Sequence, residues 1–239
     1  MTVTLSAAIM AHPMRQSFIP DLLAALGDPE LPVIWDRWAD RWDTGRRAML
    51  AYDPACTHHV VLQDDAVPCR DLLAGLAAAL AYVPSEAPLC GYVGRYRPRL
   101  PFLADAVTTA DGMKASFLTM HTLNWGPLVV VPTEAIDAMV AHCDTLTTIP
   151  NYDRRLSRYW ELERGVRVWY TWPSLVDHRE SPSVVPGRPM ARPGHPGGRV
   201  AEHFLGRDRS ALKVNWDGPV VNAAGGLLPE ITIDRRGGQ

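Results

Sequence analysis

The sequence predicts an α/β domain built on a mainly parallel sheet with helices on both faces, followed by an irregular C-terminal extension. Three observations lead there. Short β-branched runs alternate with stretches of helical apolar spacing, the pattern of successive strand–helix units. Several of those runs are apolar almost throughout, as strands buried on both faces are. Proline density then rises after residue 181, in "SPSVVPGRPMARPGHPGG", where regular structure should stop.

The elements follow in order. Residues 3–10 read as a buried strand that stops at Ala-His-Pro. Residues 18–26 carry apolar side chains at helical spacing, with Gly27 placed as the C-terminal cap. "LPVIWD" (residues 31–36) is a second short strand ending on an acid, and residues 45–52 form a short helix. Residues 59–62 are a third strand, followed after Asp64 and Asp65 by an Ala/Leu-rich helix over 70–82. Past a loop-rich middle, residues 126–132 form another buried strand. Helices over 133–142 and 153–163 and a last strand over 166–172 complete the domain. The boundary falls at 180/181, with 181–239 as the extension, holding one or two helical turns over 200–205 and a short strand in "ALKVNWDGPVV".

Whole-chain properties exclude several function classes. The chain has 239 residues, enough for one large domain or a domain with an appendage. A formal net charge of −2 exerts no general pull toward nucleic acid or membrane. No apolar run approaches the roughly 20 residues that span a bilayer, and "MTVTLSAAIMAHP" lacks the basic start of a signal peptide. A cytoplasmic protein is therefore expected. Cys56, Cys69, Cys90 and Cys143 form no CxxC pair, which points to buried free thiols over a disulfide framework or zinc site.

In a parallel sheet, ligands bind at the carboxyl ends of the strands. Three of the strand ends carry polar residues: His12, Asp36, and the Asp64/Asp65 pair. A single aspartate there would be an ordinary helix cap. Two adjacent carboxylates repel each other unless a cation or hydrogen-bond donors compensate. A divalent metal carrying a diphosphate does so, because hard oxygen ligands suit magnesium or manganese.

"VVLQDDA", coming after two strand–helix units with an acid at the end of the second strand, resembles the nucleotide-sugar-dependent glycosyltransferases of the GT-A fold, whose Asp-x-Asp motif sits at this point. The first motif position is Gln63 here, a departure from the strict pattern. The resemblance covers residues 3–180 and implies a nucleotide-diphosphate sugar donor and a manganese or magnesium ion. It implies Asp65 as metal ligand and Asp64 toward the donor sugar or ribose. It further implies His12 and Arg15 of "MAHPMR" and Asp36 of "VIWD" at the nucleotide, with Arg46 or Arg47 of "TGRRAML" near the diphosphate. "PSLVDH" resembles a stretch of the lipopolysaccharide-type members in which a late histidine completes the metal site. His178 takes that place, with Asp177 as the fallback ligand.

On the acceptor side, "NWGPLVVVP" resembles the strand that backs the acceptor pocket, with Trp125 available for stacking. Asp153 of "NYDRRLSRYWE" stands where inverting members keep a general base, though a helix-start acid explains it equally well. The acceptor is open among a glycan, a protein and modified DNA. Residues 179–209 hold six arginines against Glu180, Glu202 and Asp208, a segment that either tracks phosphates or is a solvated tail. By analogy, small arginine-rich enzymes of this kind occur in phages. Two other classes stay open: a non-catalytic nucleotide-sugar-binding module on the same scaffold, and a metal-dependent phosphohydrolase using Asp64 and Asp65.

Overall fold

The computed structural model describes residues 2–95, 101–179, 181, 184, 199–223 and 226–227. The chain opens with β1 (Leu5–Ala11), a 3-10 turn (Pro13–Phe18) and α1 (Ile19–Leu26). Gly27 ends α1 with φ of 72°, the left-handed cap its sequence predicts. Then come β2 (Val33–Trp35) and α2 (Arg41–Met49). That helix starts earlier than its apolar spacing suggests because the Asp40 carboxylate accepts from the Trp42 and Asp43 amides. β3 (His58–Gln63), β4 (Ala66–Pro68), α3 (Leu72–Leu80) and β5 (Leu89–Cys90) follow.

The predicted loop-rich middle contains α4 (Pro101–Met113) and β6 (Phe117–Met120). Beyond it lie β7 (Leu128–Pro132), α5 (Ile136–Thr145) and α6 (Tyr152–Arg158), which continues as a π-helical segment over Tyr159–Arg164. The chain closes with β8 (Val168–Thr171), β9 (Val176–His178), β10 (Val220–Asn222) and β11 (Gly226–Leu227).

One sheet runs β11-β10-β6-β8-β5-β7-β3-β1-β2, and β4 and β9 pair separately. The fold is α/β as expected. β1, β2, β3, β5, β8 and β11 point one way, while β7, β6 and β10 point the other. β6 and β7 are the two strands the chain forms between β5 and β8, and β10 is reversed with β6, beside which it lies parallel. Apolar runs report burial, not direction, so strand polarity was hidden from sequence. β7 lies antiparallel on β3, with Leu62 opposite Leu128. Both strands are fully buried through Val60, Val61, Leu62, Val129 and Val130, so the end of β3 is held on two sides.

The residues after 180 need a correction. No helical turn forms over 200–205; Ala201 instead bridges to Gly94 and Phe204 to Ser174. β10 is an inner strand, paired with β6 on one side and β11 on the other. Trp216 is buried against Phe117, ring centroids 5.5 Å apart. Ala211 lies so close to α3 that a Cβ on Gly75 would meet its methyl at 2.1 Å. A boundary at 180/181 therefore does not separate residues 199–223 from the sheet. The proline-rich stretch 185–198 lies outside the described residues.

Candidate functional site

The carboxyl ends of β1, β2 and β3 open onto a cavity of about 200 Å³. β1 and β3 are neighbours in register, with Met10 opposite Gln63, so the residues that follow them emerge side by side. The Asp64 amide extends the ladder to the Met10 carbonyl at 3.0 Å. Six of the residues expected at the site line this cavity: His12, Arg15, Asp36, Asp64, Asp65 and Asp153.

His12 begins the turn after β1, and its Nδ1 accepts the Met14 amide at 3.2 Å. That leaves Nε2 as the nitrogen bearing the hydrogen in the neutral ring, facing the Asp36 carboxylate at 3.7 Å. Asp36 also accepts from the Thr44 hydroxyl at 3.2 Å and the Trp38 amide at 3.1 Å. Asp36 and Thr44 therefore present a polar wall at the β2 side of the cavity.

The Asp64/Asp65 pair is compensated: Arg15 lies against both carboxylates, and His178 against Asp65. One guanidinium nitrogen reaches both carboxylates, at 2.9 Å from Asp64 Oδ1 and in close contact with Asp65 Oδ2. The second Asp64 oxygen accepts the His12 amide at 2.7 Å. Arg15 was expected at the nucleotide; it lies in the same cavity, but turned onto the acid pair. Burial raises the Asp64 carboxyl above its ordinary value, with the Asp65 charge adding to it. Burial acts on Asp65 too, but the hydrogen bond from His178 and the nearby charges of His178 and Arg15 outweigh it, and its pKa ends low.

His178 reaches Asp65 by strand register. β9 pairs antiparallel with β4, placing His178 opposite Ala66, the residue after Asp65. The Arg179 amide donates to the Asp65 carbonyl at 2.7 Å. His178 Nδ1 lies 2.9 Å from the Arg179 carbonyl and donates to it, since a carbonyl can only accept. Nε2 then faces Asp65 Oδ2 at 3.1 Å. Asp177, the fallback ligand, is used elsewhere: its Oδ1 accepts the amides of His178 and Ala201.

A divalent ion can be tested against these groups. Asp65 is 1% exposed, and its Oδ1 has no hydrogen-bond partner, a buried lone pair that wants a cation or donor. Asp65 Oδ2 and His178 Nε2 stand as far apart as adjacent ligands of an ion bonded at about 2.1 Å. One carboxylate and one imidazole suit manganese somewhat better than magnesium. The residues fit such an ion as a two-ligand seat. Among the described residues no group of three or more His, Cys, Asp or Glu is arranged to hold a metal, so the remaining positions would fall to water and ligand oxygens.

Asp153 enters the cavity from the first turn of α6. Burial raises its carboxyl above the ordinary value. Its Oδ1 accepts the Arg154 amide at 2.8 Å, leaving Oδ2 for another partner. Gly126 permits this approach: a Cβ there would sit 2.8 Å from the Tyr152 ring, 3.0 Å from Gln63 Nε2 and 3.3 Å from Asp153 Cβ.

Two expectations are corrected. Arg46 does not line the cavity; it lies on the outer side of α2, 40% exposed in its side chain, paired with Asp144 at 3.0 Å. Arg47 likewise binds Asp43 and the Trp35 carbonyl. The arginine of α2 that lines the cavity is Arg41, at the first position of the helix, missed because the helix start was placed too late. Trp125 is no stacking platform. It is 6% exposed and set edge-on to Tyr92 and Tyr170, at 6.3 and 5.7 Å. Arg199, from beyond the proline-rich stretch, also lines the cavity, and no local sequence pattern announced it.

No helix among the described residues is long and apolar enough to cross a membrane. No family model and no curated protein sequence matches the chain. Among solved structures, the chain is similar to a mutant of Drosophila β-1,4-galactosyltransferase 7 in complex with manganese, UDP-Gal and xylobiose. The TM-score is 0.39 and the identity 11%, over 76% of this chain and 77% of that one. Likeness at that level specifies neither substrate nor chemistry.

Proposed function

We propose that the protein is a glycosyltransferase that moves a sugar from a nucleotide-diphosphate donor to an acceptor hydroxyl with the help of a divalent metal. The observation that carries this reading is the convergence on one cavity of an acid pair, a polar wall and a separate carboxyl with a raised pKa. The wall of His12, Asp36 and Thr44 offers hydrogen-bonding groups for a nucleoside. Arg41 supplies positive charge for the diphosphate. Asp65 and His178 would hold manganese or magnesium, which when bound neutralises the charge on the departing nucleoside diphosphate.

Asp153 acts as general base. Its free Oδ2 takes the proton of the acceptor hydroxyl, and the raised pKa makes it a stronger base than an ordinary carboxylate. The cavity that Asp153 lines together with Gln63 is where the acceptor approaches the donor sugar. The acceptor is a glycan, a protein or modified DNA. Phage origin and lipopolysaccharide-type specificity belong to the same proposal, as does residence in the cytoplasm.

The test is a thermal-shift panel of nucleotide sugars with and without manganese, followed by donor turnover on the best ligand. The expected result is stabilisation by one nucleotide class that deepens with manganese, and donor cleavage that EDTA abolishes. Binding without any turnover would favour a non-catalytic module. Turnover of simple phosphate esters without sugar transfer would favour a phosphohydrolase.

A further inference from the structure

Two side chains of the same protein balance the acid pair, Arg15 on both carboxylates and His178 on Asp65. Arg15 is 7% exposed and lies against both carboxylates. It contacts the same Asp65 oxygen, Oδ2, that faces His178 Nε2. Asp65 Oδ1 is buried with no hydrogen-bond partner. The acid pair thus has a resident monovalent cation and a spare acceptor, which marks the seat as only partly filled.

A guanidinium and a divalent ion cannot both sit closely on Asp65 Oδ2 without strong mutual repulsion. We propose that Arg15 is a built-in competitor for the divalent ion: it holds the acid pair while the donor is absent and gives up Asp65 when a nucleoside diphosphate brings the metal in. The displaced guanidinium has a natural new partner, because a diphosphate offers the oxygens that a carboxylate offered before. The turn that carries Arg15 strengthens the coupling. Arg15 departs from helical geometry inside its 3-10 segment, with φ of −114° and ψ of 17°. Its amide is tied to the His12 carbonyl at 2.9 Å. Moving Arg15 therefore moves the turn that bears His12, on the nucleoside wall, so metal entry and nucleotide docking become one event.

This inference rests on the metal-dependent reading above, and the test separates the two. Manganese binding is measured by electron paramagnetic resonance on wild type, Arg15→Gln and Arg15→Lys, with the metal alone and with saturating UDP or GDP. Wild type should bind manganese weakly alone and more tightly with the nucleoside diphosphate. Arg15→Gln should bind manganese alone about tenfold more tightly than wild type, and most of the nucleotide-dependent gain should vanish. Arg15→Lys, which keeps the charge, should stay close to wild type.

Should Arg15→Gln fold only with manganese present, that result also supports the competition. Should it fail to fold at all, the Arg15→Gln/Asp64→Asn double variant is compared with Asp64→Asn alone, and tighter manganese binding in the double variant carries the same meaning. Equal or weaker manganese binding without Arg15 overturns the inference and leaves the metal-dependent reading standing. No manganese binding by wild type under either condition overturns that reading itself.

Discussion

His178 Nε2 lies 3.1 Å from Asp65 Oδ2, brought there by the pairing of β9 with β4. Two short strands outside the main sheet thus bring a nitrogen and an oxygen ligand together at Asp65, which lines the cavity. Asp65→Asn keeps the shape of the side chain but removes its charge, and it should weaken the manganese response of donor turnover by roughly 100-fold. His178→Ala leaves room for a water and should cost roughly tenfold. A manganese titration of turnover for each variant checks both. An unchanged half-saturation in Asp65→Asn would remove the metal from this position.

Asp153 makes a different demand. If it takes the acceptor proton, Asp153→Asn should lower kcat by roughly 10²- to 10⁴-fold. Binding of the donor should hardly change, since the proton transfer assigned to Asp153 concerns the acceptor. Isothermal titration with the donor, alongside steady-state kinetics, separates those effects. Equal losses in donor affinity and kcat would make Asp153 a binding residue.

The pH dependence of stability should carry the mark of His59. Its ring is fully buried at the start of β3, with Nε2 donating to the Ala48 carbonyl at 2.9 Å and Nδ1 accepting from the Ser6 hydroxyl at 2.8 Å. Burial lowers its pKa from the ordinary 6.5, so the folded state keeps the ring neutral where the unfolded chain takes up a proton. Stability should therefore be flat above about pH 6.5 and fall as the pH drops below it. His59→Gln should be less stable at neutral pH yet show a shallower loss between pH 6.5 and 5, read from urea midpoints. An equal slope in both proteins would assign the effect to other groups.

Three of the four thiols should be silent. Burial pushes Cys69, Cys90 and Cys143 up to about 12, far from the pH at which thiolates form in ordinary buffers. Cys56 is only partly buried, next to a turn. Native labelling with a maleimide at pH 7.5 should modify Cys56 alone, as mass spectrometry of the digested protein would show.

The contact between Gly75 and Ala211 predicts that residues after 198 belong to the folding unit. Gly75→Val would force a branched side chain into a space already filled, at a cost of roughly 1–3 kcal/mol. Truncation at residue 181 removes β10 together with Ala211 and Trp216, and should leave a protein without a cooperative thermal transition. A truncated protein that melts as sharply as the full chain would restore the reading of residues 181–239 as an appendage.

The site was more legible in the sequence than the sheet. His12, Asp36 and Asp64 stand at strand ends, and strand ends are announced by where an apolar run stops. Arg41 was missed because the Asp40 cap lies ahead of any apolar periodicity, and Arg46 was favoured for its place beside Gly45. Trp125 reads as an exposed platform only if its burial is unknown; the edge-on contacts with Tyr92 and Tyr170 come from distant segments. Strand direction was hidden for the same reason, since β7 is as apolar as a parallel strand would be. A short strand in "ALKVNWDGPVV" was expected, but its place inside the sheet was hidden, because its partner, β6, fell in a stretch that read as loop. His178 was singled out through resemblance, and its approach to Asp65 depends on a two-strand pairing that three-residue strands do not advertise.

The place of β10 in the sheet has a consequence for how the protein is made. β10 is formed by residues 220–222 and pairs with β6, so a nascent chain carries β6 with an open edge until nearly all of the described sequence has been synthesised. An unpaired edge of Phe117, Leu118 and Thr119 is a template for other strands. Chains released early by a stalled ribosome or a premature stop codon would present that edge permanently. The cell would meet them as aggregating fragments and not as slightly shortened versions of the protein.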